Sequence, residues 1–320
     1  MKFSILIPAY NTSKYIRRCL NSLINQTFQD FEIIVIDDGS KDDTLPILKE
    51  FQNIDKRVNV FHQENHGVAY TRNRLLDYAK GEWIVFVDAD DIISDDYLLG
   101  INNAIEECPS VEIVFCSYCL ETKKGIIIKP LLKFDLDSCC RDLIEKKNRL
   151  LSSALWSKSF KRSIITEKKI RFSSDFNMGE DLFFIIQFLF EINNIGFASN
   201  SVYFWNKTNE ESMTHSCNIY RCDDIKCYQA IISLINKNGL EKKFHKSINI
   251  GKMYLQNLYY MYIRNNNIKE MSPFAFFNID FEGLNTIDRL RLFVIKKDLH
   301  FVLRCINFIS RWFQKMIDKH

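Results

Sequence analysis

Three polar segments in the first hundred residues carry side chains suited to nucleotide and metal chemistry, and each directly follows an apolar run. They are Pro8-Ala9-Tyr10-Asn11, Asp37-Asp38-Gly39-Ser40 and Asp88-Ala89-Asp90-Asp91. Ligands of open parallel α/β sheets bind beyond the carboxyl ends of the strands, so we expect these segments at one edge of such a sheet. There an aromatic ring can stack on a base, an acid can accept a hydrogen bond from that base, and clustered carboxylates can bind a divalent cation. The pattern therefore predicts a nucleoside-diphosphate site.

The hydrophobic pattern predicts the elements that must position these segments. Over the first hundred residues, β-rich runs alternate with amphipathic helical patterns, which is the order that builds a parallel sheet covered by helices. Ser13 is the predicted N-cap of the first helix. Strands are predicted at residues 4–7, 31–36, 58–61, 83–87, 111–119, 125–129 and 202–205. Further helices are predicted at residues 68–79, 95–107 and 182–192, within a mixed, mainly helical segment 135–171, and from residue 219 onward.

Composition and charge exclude several classes of protein. Of the 320 residues, 47% are hydrophobic, which is enough to bury a large core and excludes general disorder. The formal net charge of +3 does not favour a nucleic-acid partner. No apolar run approaches the roughly 18 residues of a membrane span, and the N-terminus turns polar too early for a signal peptide. We therefore expect a cytoplasmic protein whose ten cysteines are reduced and mostly fill the core.

In their order and spacing, these motifs resemble family 2 glycosyltransferases, and the resemblance covers roughly residues 2–216. Residues 4–11, 23–27, 36–40, 72–73, 88–91 and 179–181 carry it. It implies an α/β fold of the GT-A type, with a Rossmann-like mixed, mainly parallel sheet flanked by helices and a C-terminal helical region. It also implies a nucleotide-sugar donor, usually UDP-linked, and inversion at the anomeric carbon. The nucleotide-sugar-binding residues implied are Pro8, Ala9, Tyr10, Asn11, Asp38, Arg72, Asp88, Ala89 and Asp90.

The resemblance also assigns the metal site and the general base. Asp88 and Asp90 form a DxD motif, with Asp90 as the expected direct ligand of Mn²⁺ or Mg²⁺. Inversion in one displacement needs a base for the acceptor hydroxyl, and Asp181 matches that position. Glu180 beside it is expected to position the acceptor or the helix start. Because the dipole of a helix N-terminus lowers the pKa of an acid, we expect Asp181 to be ionised at neutral pH.

Two further residues keep two interpretations each. Trp156 lies in a segment that borders the acceptor side in the family, and it is equally well a core tryptophan. His215 lies in a stretch that resembles a family loop near the donor phosphates. It is either a contact to the diphosphate or metal, or a surface-loop histidine.

These features predict a hexosyltransferase that adds one sugar to a saccharide acceptor of a surface polysaccharide such as capsule, O-antigen or lipooligosaccharide. The chain lacks the transmembrane helices and the Gln-x-x-Arg-Trp motif of processive synthases in the same family, which favours a single addition. It also lacks the phosphate-binding glycine motifs of P-loop hydrolases and dinucleotide-binding dehydrogenases. The alternative is a catalytically silent partner that binds nucleotide sugar or holds a glycosyltransferase complex together. The presence of Asp88, Asp90 and Asp181 argues against that alternative.

The expected domains are a catalytic domain at residues 1–216, divided into a nucleotide-binding half (1–107) and an acceptor-binding half (108–216), and a helical region at 217–320. Residues 285–320 contain eight Lys or Arg and three acids, interleaved with Phe, Trp, Leu and Ile. Basic amphipathic helices of this kind bind membrane interfaces. We therefore expect a peripheral contact with the inner face of the membrane, which suits a lipid-linked acceptor. The alternative is packing on the catalytic domain or in a homodimer.

Overall fold

The computed structural model describes residues 1–129, 131–146, 153–176, 178–209, 221–265, 279, 284–296 and 306–307. The chain divides into two compact units. The first consists of Met1–Cys139 and Ser152–Ile219, and the second of Cys140–Leu151 and Tyr220–His320.

The first unit alternates strands and helices along the chain. Its strands are β1 (Phe3–Ala9), β2 (Phe31–Asp38), β3 (Val58–Gln63), β4 (Trp83–Phe86), β5 (Ile92–Ile93), β6 (Ile113–Thr122), β7 (Gly125–Lys129), β8 (Lys158–Lys161) and β9 (Ile195–Asn206). Its helices are α1 (Ile16–Ile24), α2 (Thr44–Ile54), α3 (Val68–Tyr78), α4 (Tyr97–Glu107), α6 (Arg162–Glu167) and α7 (Glu180–Leu189). Helix α5 (Leu136–Ile144) follows the β6–β7 hairpin and crosses the boundary between the units.

One sheet joins these strands in the order β3-β2-β1-β4-β8-β6-β9-β5, with β7 paired to β6. Pairing is parallel among β1 to β4 and between β6 and β9, whereas β8, β7 and β5 pair antiparallel to their neighbours. All eight residues of β2 are buried, as expected for a central strand with both faces covered by other layers. The predicted mixed α/β sheet with flanking helices is confirmed.

The sequence pattern missed helix α2, two short strands and one cap. β8 lies inside the segment that was predicted to be mainly helical, and β5 has only two residues. Strands of this length carry too few residues for a period of two to stand out from a helical period. Ser13 is not the N-cap of α1. The helix begins at Ile16 after Tyr15, and the Ser13 backbone N–H instead donates to Asp42 Oδ2 (3.0 Å).

The second unit is helical where the structure describes it, as its sequence pattern predicts. It contains α8 (Arg221–Lys237), α9 (Glu241–Asn265) and α10 (Thr286–Lys296), besides the end of α5. Met253 and Tyr260 of α9 pack with Leu292 and Ile295 of α10 in a small apolar core. Only residues 285–296 and 306–307 of the predicted membrane-binding segment 285–320 are described, so most of that segment lies outside the described residues.

Candidate active site

The strand register brings the three polar segments to one edge of the sheet, as the sequence predicts. In the parallel pair β1–β2, Ala9 lies opposite Asp37. In the pair β1–β4, Leu6 lies opposite Phe86, so Asp88 follows β4 at the level of Pro8. The carboxyl ends of three neighbouring strands therefore carry the three segments, which is the location of ligand sites in such sheets.

Asn11 ties the end of β1 to the turn after β2. Its backbone is left-handed (φ 50°), its N–H donates to Ser40 Oγ (2.9 Å), and its Oδ1 accepts from the Lys41 N–H (2.8 Å). The preceding Tyr10 remains 45% exposed. Its ring is thus available to stack on a planar ligand at the rim of the sheet.

Asp38 is buried and holds the loop that leads into α3. Its Oδ1 accepts from Gln63 Nε2 (2.6 Å) and from the His66 N–H (3.0 Å), and its Oδ2 accepts from the Gly67 N–H (2.9 Å). Gly67 has φ 87°, a backbone conformation that favours glycine. A carboxylate has about four acceptor positions, so these three bonds leave one on Oδ2 for a ligand N–H.

A network under the Asp88-Ala89-Asp90-Asp91 segment fixes its backbone to β9. The buried Asp91 carboxylate accepts from the Tyr203 hydroxyl (2.6 Å) and from the Asn206 N–H (2.7 Å). The same hydroxyl accepts from the Asp88 N–H (3.1 Å). Burial, followed by the nearby charges of Asp88 and Asp90, raises the pKa of Asp91 well above its ordinary value. Asp91 is therefore a buried anchor of this segment, whereas Asp88 and Asp90 are partly exposed.

The Asp90 carboxylate is itself oriented by a neighbour. Its Oδ2 accepts from Asn209 Nδ2 (2.7 Å), and its backbone carbonyl accepts from Asn206 Nδ2 (3.3 Å). Ala89, between the two acids, is buried in the core of the unit. The Asp90 side chain is thus held at the sheet edge by Asn209.

Trp156 lies in the core beneath this network. Its ring stacks on that of Tyr203, with centroids 5.2 Å apart and planes at 12°, and it also contacts the rings of Tyr118 and Trp205. Because the side chain is buried, the structure favours the core interpretation of Trp156. Its contact with the site is indirect, through Tyr203.

Arg72 joins the two acidic groups of the site. From α3, its Nη1 donates to Glu180 Oε1 (2.9 Å) and to Asp181 Oδ1 (2.6 Å), and its Nη2 lies 3.5 Å from Asp88 Oδ1. The guanidinium is buried, with Cζ 5.6 Å from the centre of the Phe172 ring. A buried guanidinium with three carboxylates fixes the relative positions of the DxD segment and the start of α7.

Burial sets the ionisation of Asp181. Desolvation is the largest effect and, with the nearby charges of Glu180 and Asp88, raises the pKa of Asp181 to about 8, although Arg72 and Lys158 oppose the rise. The expectation that Asp181 is ionised at neutral pH is therefore wrong, because desolvation outweighs the favourable end of the α7 dipole. A carboxyl whose pKa lies near working pH is suited to accept a proton.

Lys158 is a second buried charge near this group. Its Nζ donates to the Ala154 carbonyl (2.6 Å), and burial lowers its pKa to about 8. Lysine is most often exposed, so no pattern in the sequence singles out Lys158 as a buried group.

Comparisons with known proteins concern the family and the fold. Residues 4–133 match the family model described as Glycosyl transferase family 2. The putative glycosyltransferase EpsH of Bacillus subtilis is 33% identical over 208 residues, which are 62% of this chain and 59% of EpsH. Residues 4–133 of this chain are a glycosyltransferase family 2 domain.

Solved structures place the fold in the same group. The crystal structure of Staphylococcus aureus TarS 1–349 in complex with UDP-GlcNAc matches 98% of this chain and 92% of that chain, with a TM-score of 0.63 and 20% identity. A mannosyltransferase of Pyrobaculum calidifontis in complex with GDP-Man and Mn²⁺ matches 100% of this chain and 88% of that chain, with a TM-score of 0.54 and 17% identity. The fold is GT-A, as the sequence predicts. The matched part of the chain spans 59% of the length of EpsH and 35% of the length of TarS.

The donor atoms at the sheet edge fit a hard divalent cation only in part. Asp88 and Asp90 provide carboxylate oxygens, which Mn²⁺ and Mg²⁺ accept. Among the residues that the structure describes, no group of three or more His, Cys, Asp or Glu could hold a metal ion. Mg²⁺ is commonly bound by one or two carboxylates plus substrate phosphates, so this set fits a cation that arrives with a diphosphate. His215, the other candidate ligand, lies outside the described residues.

Four contacts of the site have no signal in the sequence. Tyr203, Asn206 and Asn209 reach the DxD segment from more than a hundred residues further along the chain, and Lys158 comes from the short strand β8. Spacing patterns identify neighbours on one element, and these contacts join different elements. The sequence identifies Asp91 only as the last residue of the acidic segment.

Proposed function

We propose that this family 2 member transfers one hexose from a UDP-sugar to a saccharide acceptor in the synthesis of a bacterial surface polysaccharide, with inversion at the anomeric carbon. The observation that carries the proposal is the cluster around Arg72. The Arg72 guanidinium contacts both Asp88, an acid of the predicted donor site, and Asp181, the predicted base. Donor and base must lie this close if one displacement is to join acceptor and sugar.

The residues divide the work as follows. Tyr10 stacks on the uracil ring, and the free acceptor position of Asp38 takes its ring N–H. Asp88 and Asp90 hold the diphosphate end of the donor with Mn²⁺ or Mg²⁺. A bound cation would stabilise the negative charge that develops on the leaving diphosphate. Arg72 Nε is buried with no partner among the described residues, which supports a contact to a donor oxygen.

The proton goes to Asp181. As the acceptor oxygen forms its bond to the anomeric carbon, the bond from that carbon to the diphosphate oxygen breaks, and UDP leaves with the electron pair. The acceptor hydroxyl proton passes to the Asp181 carboxylate. A base with a pKa of about 8 is half ionised at slightly alkaline pH, which suits this transfer.

Names of the relatives support the donor and the class of product. The TarS relative is a poly(ribitol-phosphate) beta-N-acetylglucosaminyltransferase, and its structures contain UDP or UDP-GlcNAc. A Bacillus spizizenii relative, 32% identical over 64% of this chain, is a poly(ribitol-phosphate) beta-glucosyltransferase. These names favour uridine in the donor and a cell-surface glycopolymer as the acceptor.

The proposal extends to the domains, the membrane contact and the assembly of the protein. We propose a catalytic domain at residues 1–216 and a helical region at 217–320 that contacts the inner face of the membrane through 285–320 or forms a homodimer. In the described part of the chain, no helix is both long and apolar enough to cross a bilayer.

Replacing the base tests the reaction. Asp181→Asn should leave UDP binding intact and slow sugar transfer by about 10²–10⁴-fold, the scale of a lost general base. Asp175→Asn is the matched control, since Asp175 is an exposed acid on the loop before α7 that contacts Ser173. UDP release from a panel of UDP-sugars measures transfer, and calorimetry measures UDP binding. Unchanged transfer in Asp181→Asn removes Asp181 from the mechanism. A wild-type chain that binds UDP but produces no UDP from any of the UDP-sugars favours the silent-partner alternative.

A further inference from the structure

The β6–β7 hairpin exposes a run of isoleucines. Ile126, Ile127 and Ile128 of β7 are 61%, 48% and 73% exposed, and Leu132 just beyond the strand is exposed as well. Consecutive residues of a strand point to opposite faces, so exposure of all three means that both faces of β7 are open. Within the described sheet β7 pairs only with β6, which makes it an edge strand. A cluster of exposed large apolar side chains marks an interaction surface.

Lysines predominate around this run, because Glu121, which lies opposite Ile126 in the hairpin, is paired with Arg18. Residues 122–134 contain four lysines and no acid, and the lysines at 123, 124, 129 and 133 are all exposed. Lys124 lies in the two-residue turn of the hairpin, and Lys129 ends β7. Apolar side chains flanked by lysines match the interface of an anionic lipid surface, where alkyl chains bury the former and headgroups bind the latter.

The hairpin continues directly from the strands that hold the candidate site. Glu121, two residues before the turn, lies opposite Asn206 in the β6–β9 pair, and the Asn206 N–H donates to Asp91. Glu121 is fixed on the other side by Arg18 of α1 (2.8 Å). The strand that carries the exposed isoleucines is therefore joined to the DxD segment through β6 and β9.

We propose that the β6–β7 hairpin docks on a membrane surface rich in anionic lipid. A second copy of the chain is the competing occupant, since an open edge strand can pair with another. The lysines disfavour it, because edge-to-edge pairing places like charges together, and lysine on an edge strand is a common protection against such pairing. This contact lies outside the 285–320 segment and does not depend on the proposed transfer reaction.

Vesicle sedimentation with the full chain tests the proposal. We expect binding to vesicles of phosphatidylcholine and phosphatidylglycerol at about 2:1, weaker binding at high salt, and little binding to phosphatidylcholine alone. Lys124→Gln with Lys129→Gln should weaken binding about 25-fold, at about fivefold for each lysine. Ile126→Ser with Ile128→Ser should weaken it at least about tenfold.

The control pair is Ile54→Ser with Lys56→Gln. Ile54, the last residue of α2, is 64% exposed, and Lys56, between α2 and β3, is exposed as well. β3 is the first strand in the sheet order, and four strands separate it from β6. These controls should bind vesicles like the wild type, and all variants should bind UDP like the wild type. Failure of the wild type to bind anionic vesicles, or equal binding by the hairpin variants, overturns the proposal. The proposal is also overturned if the wild type self-associates without lipid and the isoleucine variant does not, because the occupant of the hairpin is then a second copy.

Discussion

The pH dependence of transfer should report the environment of Asp181. The base acts only when ionised, and with a pKa of about 8 its ionised fraction at pH 7 is about one tenth. The kcat/KM for the donor should therefore rise about tenfold for each pH unit below 8 and level off above it. Four charged groups face Asp181. Burial and the acids Glu180 and Asp88 raise its pKa, and Arg72 and Lys158 lower it.

Glu180→Gln isolates one of these charges. Glu180 Oε1 and Asp181 Oδ1 both accept from Arg72 Nη1, so they lie at most about 5.5 Å apart. At an effective dielectric constant of about 20, two unit charges at that distance repel by about 3 kcal/mol. Partial exposure of both side chains reduces this, so we expect the midpoint of the pH profile to move down by about one to two pH units. The glutamine carbonyl can still accept from Arg72, which keeps the geometry.

The assay is UDP release from the UDP-sugar that the wild type accepts, measured from pH 6 to 9.5 in the wild type, Glu180→Gln and a control. Glu191→Gln is the control, because it removes the same charge beyond the far end of α7, which is roughly 12 Å from Asp181 along the helix, and it should leave the midpoint in place. A flat wild-type profile between pH 6 and 8 would refute the reasoning about Asp181. A midpoint that stays or rises in Glu180→Gln would refute the assigned repulsion.

Two further variants test the DxD segment. Asp90→Ala should weaken UDP binding only in the presence of metal, because it removes a carboxylate oxygen from the proposed cation, and a calorimetric titration with unchanged metal dependence discards Asp90 as a ligand. Tyr203→Phe removes the donor to buried Asp91 and the acceptor of the Asp88 N–H, so it should lower the free energy of unfolding by about 1–3 kcal/mol in a urea titration and weaken UDP binding. Unaltered stability and UDP affinity in Tyr203→Phe would show that this network does not position the segment.

Sequence patterns predicted the part of the fold in which local and global signals agree. The runs at β1, β2 and β4 are apolar, end in polar segments and alternate with amphipathic helices, so their parallel pairing and common edge follow from the sequence. Strands at 111–119 and 125–129 were also predicted, but β6 continues to Thr122, so the two-residue turn at Lys123 and Lys124 was not. The short strands β5 and β8 could not be predicted, because their formation depends on pairing with β9, β4 and β6 rather than on their own residues.

Residue types predicted the donor-site acids, and burial determined their protonation. Asp181 at the start of α7 was expected to be ionised from the helix dipole alone, but its depth in the protein and two neighbouring acids reverse the direction of its pKa. The hydrogen bonds of the buried Asp38 and the core position of Trp156 also depend on partners distant in sequence. Sequence therefore predicts which side chains reach the site, whereas the packed structure determines their protonation and exposure.

A nucleotide-binding panel tests the central claim most directly. Thermal shift and calorimetry with UDP, GDP, CDP and TDP, each with and without Mn²⁺, compare the bases and the role of the cation in one experiment. The account predicts that UDP stabilises the chain, that the other diphosphates do so less, and that stabilisation requires metal. Binding of none of the four nucleotides under either condition would contradict the donor site at the edge of β1, β2 and β4.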